Sequence, residues 1–358
     1  MSERDPSLAS STALWPWLEA PLRAALGQLH HHAVLLHGLP GTGQFEFAMA
    51  LGRAWLCEQA PMGSAFAPAC GHCVSCRLLD AGSHPDVMLV LPEALQATLG
   101  WDAGEAAGDA SEDKSERKSR KPSQDIKVDA IRAVVQFSQN TASRGRAKVV
   151  LIHPVERMNA IAANTLLKTL EEPPGQVRFV LSGSALDQLL PTVRSRCQAW
   201  ALPSPEPELA VQWLVAETGL DPHAARLLLE ASGGQPLTAR DRQALGLDAR
   251  NWPQIPHGVA RGEAGPMAAW PLPLVVETLQ KLCHDLARVA VGAAPRYFPA
   301  ESLPPPPELA RLNQWSQELG KVGRHADHPW NLPLKLETLM LQARAILRVR
   351  PSRANPRA

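Results

Sequence analysis

The 358-residue chain carries 36 Lys and Arg against 35 Asp and Glu, and 45% of it is hydrophobic. The length exceeds what one core supports, since single cores stop growing at about 250–300 residues, so three domains are expected. The formal net charge of +1 excludes a chain that coats nucleic acid by itself; no apolar run reaches a membrane span, and the first fifteen residues lack a signal peptide's charged start and apolar run, so a cytoplasmic protein without membrane contact is expected.

In chain order, Leu18 to Leu29 has a helical pattern and leads to His30-His31-His32. Consecutive side chains diverge, so the triple histidine reads as a lead-in to a strand rather than a metal site. Ala33–Gly38 (AVLLHG) is a short continuous apolar run suited to a buried parallel strand. It enters the glycine-rich turn Gly38–Phe45, followed by a helix from about Glu46 to Cys57. Asp86–Leu91 reads as a second buried strand. Residues 92–124 then turn to Gly, Ala, Ser and mixed charge, which reads as a flexible surface insertion. Its basic half, Lys114 to Lys121, is interleaved with acidic residues and reads as a solvated loop rather than a DNA contact.

Val128–Thr141 has helical spacing, Lys148–His153 is a third buried strand, Asn159 caps a helix running to Glu172, and Arg178–Ser182 is a fourth strand. This alternation predicts a parallel α/β sheet covered on both faces. Beyond Pro207 only helices are predicted: Leu209–Glu217, Pro222–Ala231, Leu237–Leu245, Leu274–Val291, Pro307–Leu319 and Leu334–Arg348. The proline-rich stretches Leu202–Pro207, Asn251–Pro273 and Leu303–Pro307 read as linkers or interdomain turns. The last residues, PSRANPRA, read as frayed.

Two places carry chemistry. The turn follows strand–loop–helix order, as a phosphate-binding loop does, and Gly38, Gly41 and Gly43 keep its shape. Gln44 stands where the lysine belongs and Phe45 where the magnesium-binding hydroxyl belongs, so no ATP binding is expected. After the third strand, His153 and Pro154 occupy the places of an acidic pair, and Glu156 comes two residues late. The second place is Cys70-x2-Cys73-x2-Cys76 with Cys57 upstream, a spacing that offers four thiolates to one structural zinc. The alternative is a buried core Cys57, with His72 or His84 as the fourth ligand.

CGHCVSCRLLDAGSHPDV (Cys70–Val87) after the degenerate loop, then LLKTLEEPP (Leu166–Pro174) and LLPTVRSRC (Leu189–Cys197), in that order, resemble the delta-prime family of bacterial DNA polymerase III clamp loader subunits, within the AAA+ group. The resemblance covers about Ala33 to Leu202 and is looser beyond, where His328–Ala343 resembles the family's last collar helix. It implies a RecA-like AAA+ module at 1–203, with the zinc module at about 57–76 and the insertion at about 92–124. A helical lid at 204–250 and a helical collar at 265–350, through which five subunits assemble, complete the implied architecture.

In the family, the arginine of Ser195-Arg196-Cys197 reaches the ATP of a neighbouring subunit, which makes Arg196 the residue expected to act, in trans. In Ser232–Ala239, Pro236 stands where the hydrolysing subunits carry a lid arginine. The implied partners are the motor subunits (gamma/tau) and delta, with the sliding clamp and primed DNA met through the assembly. Two other readings of the residues remain: an ATP-hydrolysing AAA+ motor with an unusual loop, and a zinc-dependent DNA-binding module.

Overall fold

The computed structural model describes residues 14–59, 67–99, 122–325 and 330–348. The basic stretch Lys114–Lys121, the approach at His328 and the terminal PSRANPRA lie outside the described residues. The chain divides between Ser204 and Pro205 into two units.

In the first unit five parallel strands form one sheet: β1 (Ala33–His37), β2 (Val87–Val90), β3 (Lys148–Ile152), β4 (Val177–Gly183) and β5 (Gln198–Ala201). Their order is β2-β3-β4-β1-β5, with Leu35 of β1 opposite Leu181 of β4 and Ala199 of β5. The helices are α1 (Pro16–Gln28), α2 (Gln44–Leu56), α3 (Val74–Asp80), α4 (Glu93–Leu99), α5 (Val128–Gln139), α6 (Ala160–Glu171) and α7 (Pro191–Arg194). Continuous apolar runs form β1 and β3 because both faces of those strands are covered. On one face Leu35, Val150 and Phe179 pack with Ile131 and Val134 of α5 and Leu166 and Leu170 of α6. On the other, α2 buries Phe47, Leu51 and Trp55 at helical spacing. Asn159 caps α6, its side-chain oxygen accepting from the Ala162 amide at 2.9 Å, and Pro173-Pro174 ends the helix where predicted.

Two corrections concern this unit. A fifth strand, Gln198–Ala201, follows the Ser195-Arg196-Cys197 turn. It escaped sequence reading because an edge strand of four residues with Gln and two Ala carries neither an apolar run nor strong strand propensity. The flanks of the expected insertion are folded: Glu93–Leu99 is helical, Lys127 pairs with Glu93 at 2.5 Å, and Ile126 bridges to Met158. Residues 100–121 lie outside the described residues.

The second unit is helical among its described residues: α8 (Pro207–Thr218), α9 (Pro222–Ala231), α10 (Pro236–Ala244), α11 (Ile255–Arg261), α12 (Leu272–Ala290), α13 (Leu309–Gly323) and α14 (Leu332–Leu347). One continuous core runs from Ala210 and Leu214 through Trp252, Leu279 and Trp315 to Leu347. The expected linker Asn251–Pro273 is part of that core, with Trp252, Ile255, Val259, Met267 and Trp270 buried. Its prolines sit at the starts of short helices, where the missing N–H costs nothing, so the proline content marked helix beginnings instead of a linker. Buried Asp285 fixes the loop beyond α12 by accepting from the amides of Arg296, Tyr297 and Phe298 at 2.8–2.9 Å.

Candidate functional site

The glycine-rich turn stands between the C-terminal end of β1 and the start of α2. Gly43 has φ 96°, and a Cβ there would come within 2.8 Å of Leu18, so both backbone and packing demand glycine. Trp17 donates its indole N–H to the Thr42 carbonyl at 2.9 Å, and Thr42 donates its hydroxyl to the Leu39 carbonyl at 2.8 Å. Gln44 is buried and donates its amide to the carbonyls of Gly38 and Leu39 at 2.9 and 2.6 Å. A neutral donor thus folds back onto the turn where a phosphate loop would extend an ammonium. The Phe45 ring lies 5.3 Å from that of His153, whose Nδ1 hydrogen-bonds the Ser182 hydroxyl at 2.9 Å. Burial pushes the His153 imidazole down to about 4, so it is neutral at neutral pH. The Glu156 carboxylate accepts from the Ser184 amide and hydroxyl at 3.0 and 3.1 Å. A Cβ on Gly183 would lie 1.9 Å from that carboxylate, so the glycine admits it.

Four sulfurs come together beside α2 and α3. The Sγ atoms of Cys57, Cys70, Cys73 and Cys76 all lie within 4.8 Å of one another, with Cys70 and Cys76 at 4.0 Å. Zinc–thiolate bonds of about 2.3 Å in a tetrahedron put sulfurs about 3.8 Å apart, so this set can close on one metal ion. Backbone amides of Cys70, Cys73 and Cys76 point at the sulfurs of Cys57, Cys70 and Cys73 at 3.3–3.4 Å. Backbone N–H groups, foremost that of His72, pull the Cys70 thiol down to about 6, whereas burial pushes that of Cys76 up. Cys57 belongs to the cluster. His84 does not: its Nε2 meets the Ser75 hydroxyl at 3.2 Å and its Nδ1 accepts from the Asp86 amide at 3.1 Å. His72 hydrogen-bonds the Cys70 carbonyl at 2.8 Å.

A polar bridge ties this module to the sheet. Asp86, fully buried before β2, accepts from the amides of Ser143 and Arg144 at 2.7 and 2.9 Å and faces Lys148 at 3.7 Å. Arg144 in turn meets Glu58 at 2.5 Å and the Ser75 hydroxyl at 3.2 Å. Sequence reading missed this bridge, since its members lie on four separate segments.

Ser195-Arg196-Cys197 forms the turn between α7 and β5. Cys197 packs against the sheet core, and burial pushes its thiol up to about 12. Arg196 donates through Nε to Glu171 at 2.5 Å and also pairs with Glu171 through Nη2, while its Nη1 donates to the Thr192 carbonyl at 2.7 Å. The side chain remains 30% exposed, beside a cavity of about 410 Å³ lined by His31, His32, Leu170, Glu171, Ser195 and Arg196. The histidines of the sequence triplet therefore border the arginine: His32 Nε2 meets the Leu170 carbonyl at 2.7 Å and stacks on His31.

An all-parallel sheet with helices on both faces and a glycine-rich turn leaving its β1 strand makes the first unit a parallel α/β fold. Residues 22–206 match the family model described as "DNA polymerase III, delta subunit". The DNA polymerase III subunit delta' of Pseudomonas aeruginosa is 36% identical over 261 residues, covering 72% of this chain and 70% of the relative. That of Escherichia coli is 35% identical over 226 residues, covering 62% of this chain and 58% of the relative. A gamma subunit-related protein of Thermotoga maritima, solved as a crystal structure, aligns over 92% of this chain and 99% of its own at 15% identity, with a TM-score of 0.39. The chain belongs to the DNA polymerase III delta-prime family.

Proposed function

We propose that the chain is a clamp loader subunit that hydrolyses no ATP itself and contributes Arg196 to the ATP site of a neighbouring subunit. The observation that carries this reading is the Gln44 amide bonded to the carbonyls of its own turn, with the Phe45 and His153 rings in tilted contact where magnesium and its acid would sit. A site filled by its own side chains favours a non-hydrolysing subunit over an ATP-driven motor. Arg196, half-buried and held by Glu171 and Thr192, then keeps a partly exposed guanidinium for a neighbour's ATP. An always-charged planar fork suits the negative charge that builds on a transferring phosphoryl group.

The remaining proposals follow the family. Cys57, Cys70, Cys73 and Cys76 hold a structural zinc; four protein ligands leave no open coordination position, so the metal staples a segment too small to fold alone. In this reading the first unit is a RecA-like AAA+ module, α8–α10 serve as the lid, and the helices from about residue 265 serve as the collar that meets motor and delta subunits. The sliding clamp and primed DNA are engaged through that assembly in the cytoplasm. The balanced charge and the use of all four cysteines within one cluster weigh against a free-standing DNA-binding module.

The test is reconstitution with the ATPase subunits. Arg196→Ala is expected to leave assembly intact and to lower DNA-stimulated ATP hydrolysis at the adjoining site by about 10³-fold or more, the range for such arginines. Wild-type turnover in the Arg196→Ala complex, or stoichiometric ATP binding by the isolated chain, would refute the reading.

A further inference from the structure

We propose that Glu171 is the positioning residue for Arg196, setting the direction in which the guanidinium leaves the surface. This rests on the in-trans role proposed for Arg196. Glu171 ends α6, and its backbone cannot drift: Leu170 beside it is buried and gives its carbonyl to His32 immediately before β1, and Pro173-Pro174 stops the helix. One carboxylate oxygen takes both Nε and Nη2 of Arg196, the side edge of the guanidinium. The Thr192 carbonyl in α7 takes Nη1. Two secondary-structure elements thus grip the group from two directions, with the Ser195 hydroxyl a further 3.5 Å acceptor for Nη1, while N–H capacity on Nη2 remains on its outer end.

Magnitudes separate positioning from restraint. An ion pair whose members are 30% and 46% exposed shifts an equilibrium by at most about five-fold, so Glu171 is a poor lock against a competing phosphate. The rotamer freedom of a loose arginine corresponds to about thirty-fold, and removing that freedom before the partner arrives is where a weak pair acts most. The gain appears in the rate at the neighbour's site. It does not appear in ATP affinity, because the neighbour holds the nucleotide.

The experiment uses the reconstituted complex, purified as an assembly, with DNA-stimulated ATP hydrolysis measured at the ATP site adjoining this chain, the other motor sites being inactivated. Glu171→Ala is expected to lower kcat about 2- to 5-fold, the most a pair of this exposure can bias the guanidinium, with the KM for ATP unchanged. Glu171→Gln, which keeps an accepting oxygen and the side-chain shape, is expected to fall between it and the wild type. The double variant Glu171→Ala/Arg196→Ala is expected to be no slower than Arg196→Ala alone. Wild-type or faster turnover in Glu171→Ala would overturn positioning, as would a Glu171→Ala loss that persists in full on top of Arg196→Ala. If Arg196→Ala itself keeps wild-type turnover, the in-trans role fails first, a result distinct from both.

Discussion

Replacing Asp86 by alanine is expected to be among the most damaging single changes in the first unit. The carboxylate is fully buried and accepts from the amides of Ser143 and Arg144, and Lys148, with only 5% of its side chain exposed, faces it at 3.7 Å. Its removal strands two half-buried donors and leaves the Lys148 ammonium with the Phe137 ring, 3.8 Å away, as its remaining support. Each stranded donor costs about 1 kcal/mol or more, and breaking a buried pair by deleting one member costs about 3–5 kcal/mol. Because these effects overlap, about 3–5 kcal/mol is expected for the whole change.

Native-state hydrogen exchange at the amides of β3 reads that loss where it occurs, as protection reduced by roughly two to three and a half powers of ten. Adding Lys148→Met to Asp86→Ala is expected to return about 1–3 kcal/mol, since the uncompensated charge leaves with it. A loss under about 1 kcal/mol for Asp86→Ala, or further destabilisation on adding Lys148→Met, would refute this account of the bridge.

Two further predictions concern the metal module and a buried base. Protein purified without chelator is expected to contain one zinc per chain; Cys73→Ser is expected to abolish stoichiometric binding and lower the melting temperature, whereas His84→Ala retains the metal, as elemental analysis would show. Lys281 donates to the Ala231 carbonyl at 2.6 Å and pairs with Glu277 at 3.0 Å, yet burial pushes its ammonium down to about 8, below its unfolded value of about 10.4. Between those values the unfolded chain binds more protons, so this group's contribution to stability rises with pH across about 8 to 10 and is least favourable below 8. Melting curves from pH 7 to 9.5 should show that rise relative to Lys281→Met, and parallel pH profiles for the two proteins would count against it.

Much of the first unit was readable because its signals are local. AVLLH and KVVLI announce buried strands by composition, Asn159 announces a helix start, and the cysteine spacing announces a thiolate cluster. β5 escaped because Gln198–Ala201 owes its strand state to the β1 edge beside it, with no apolar run of its own. Asn251–Pro273 misled because proline is equally at home in a linker and at a helix start, and only burial of Trp252 and Trp270 distinguishes them. At the candidate site, the glycine turn between β1 and α2 was visible by position. That the Gln44 amide would satisfy the turn's own carbonyls was not, because residue type gives no side-chain direction. Glu171 likewise lies 25 residues from Arg196, and only the packing of α6 against α7 makes them neighbours.

The inward-bonded Gln44 also determines when the glycine turn becomes ordered. In a turn that waits for phosphate, carbonyls and amides keep some freedom until the ligand arrives, and binding pays for the entropy lost. Here the amide holds the Gly38 and Leu39 carbonyls in the folded chain, and Trp17 holds the Thr42 carbonyl. The ordering cost is met once, in folding, by interactions that stay constant afterwards. The junction of β1 and α2 is therefore a fixed corner whose shape the chain sets for itself.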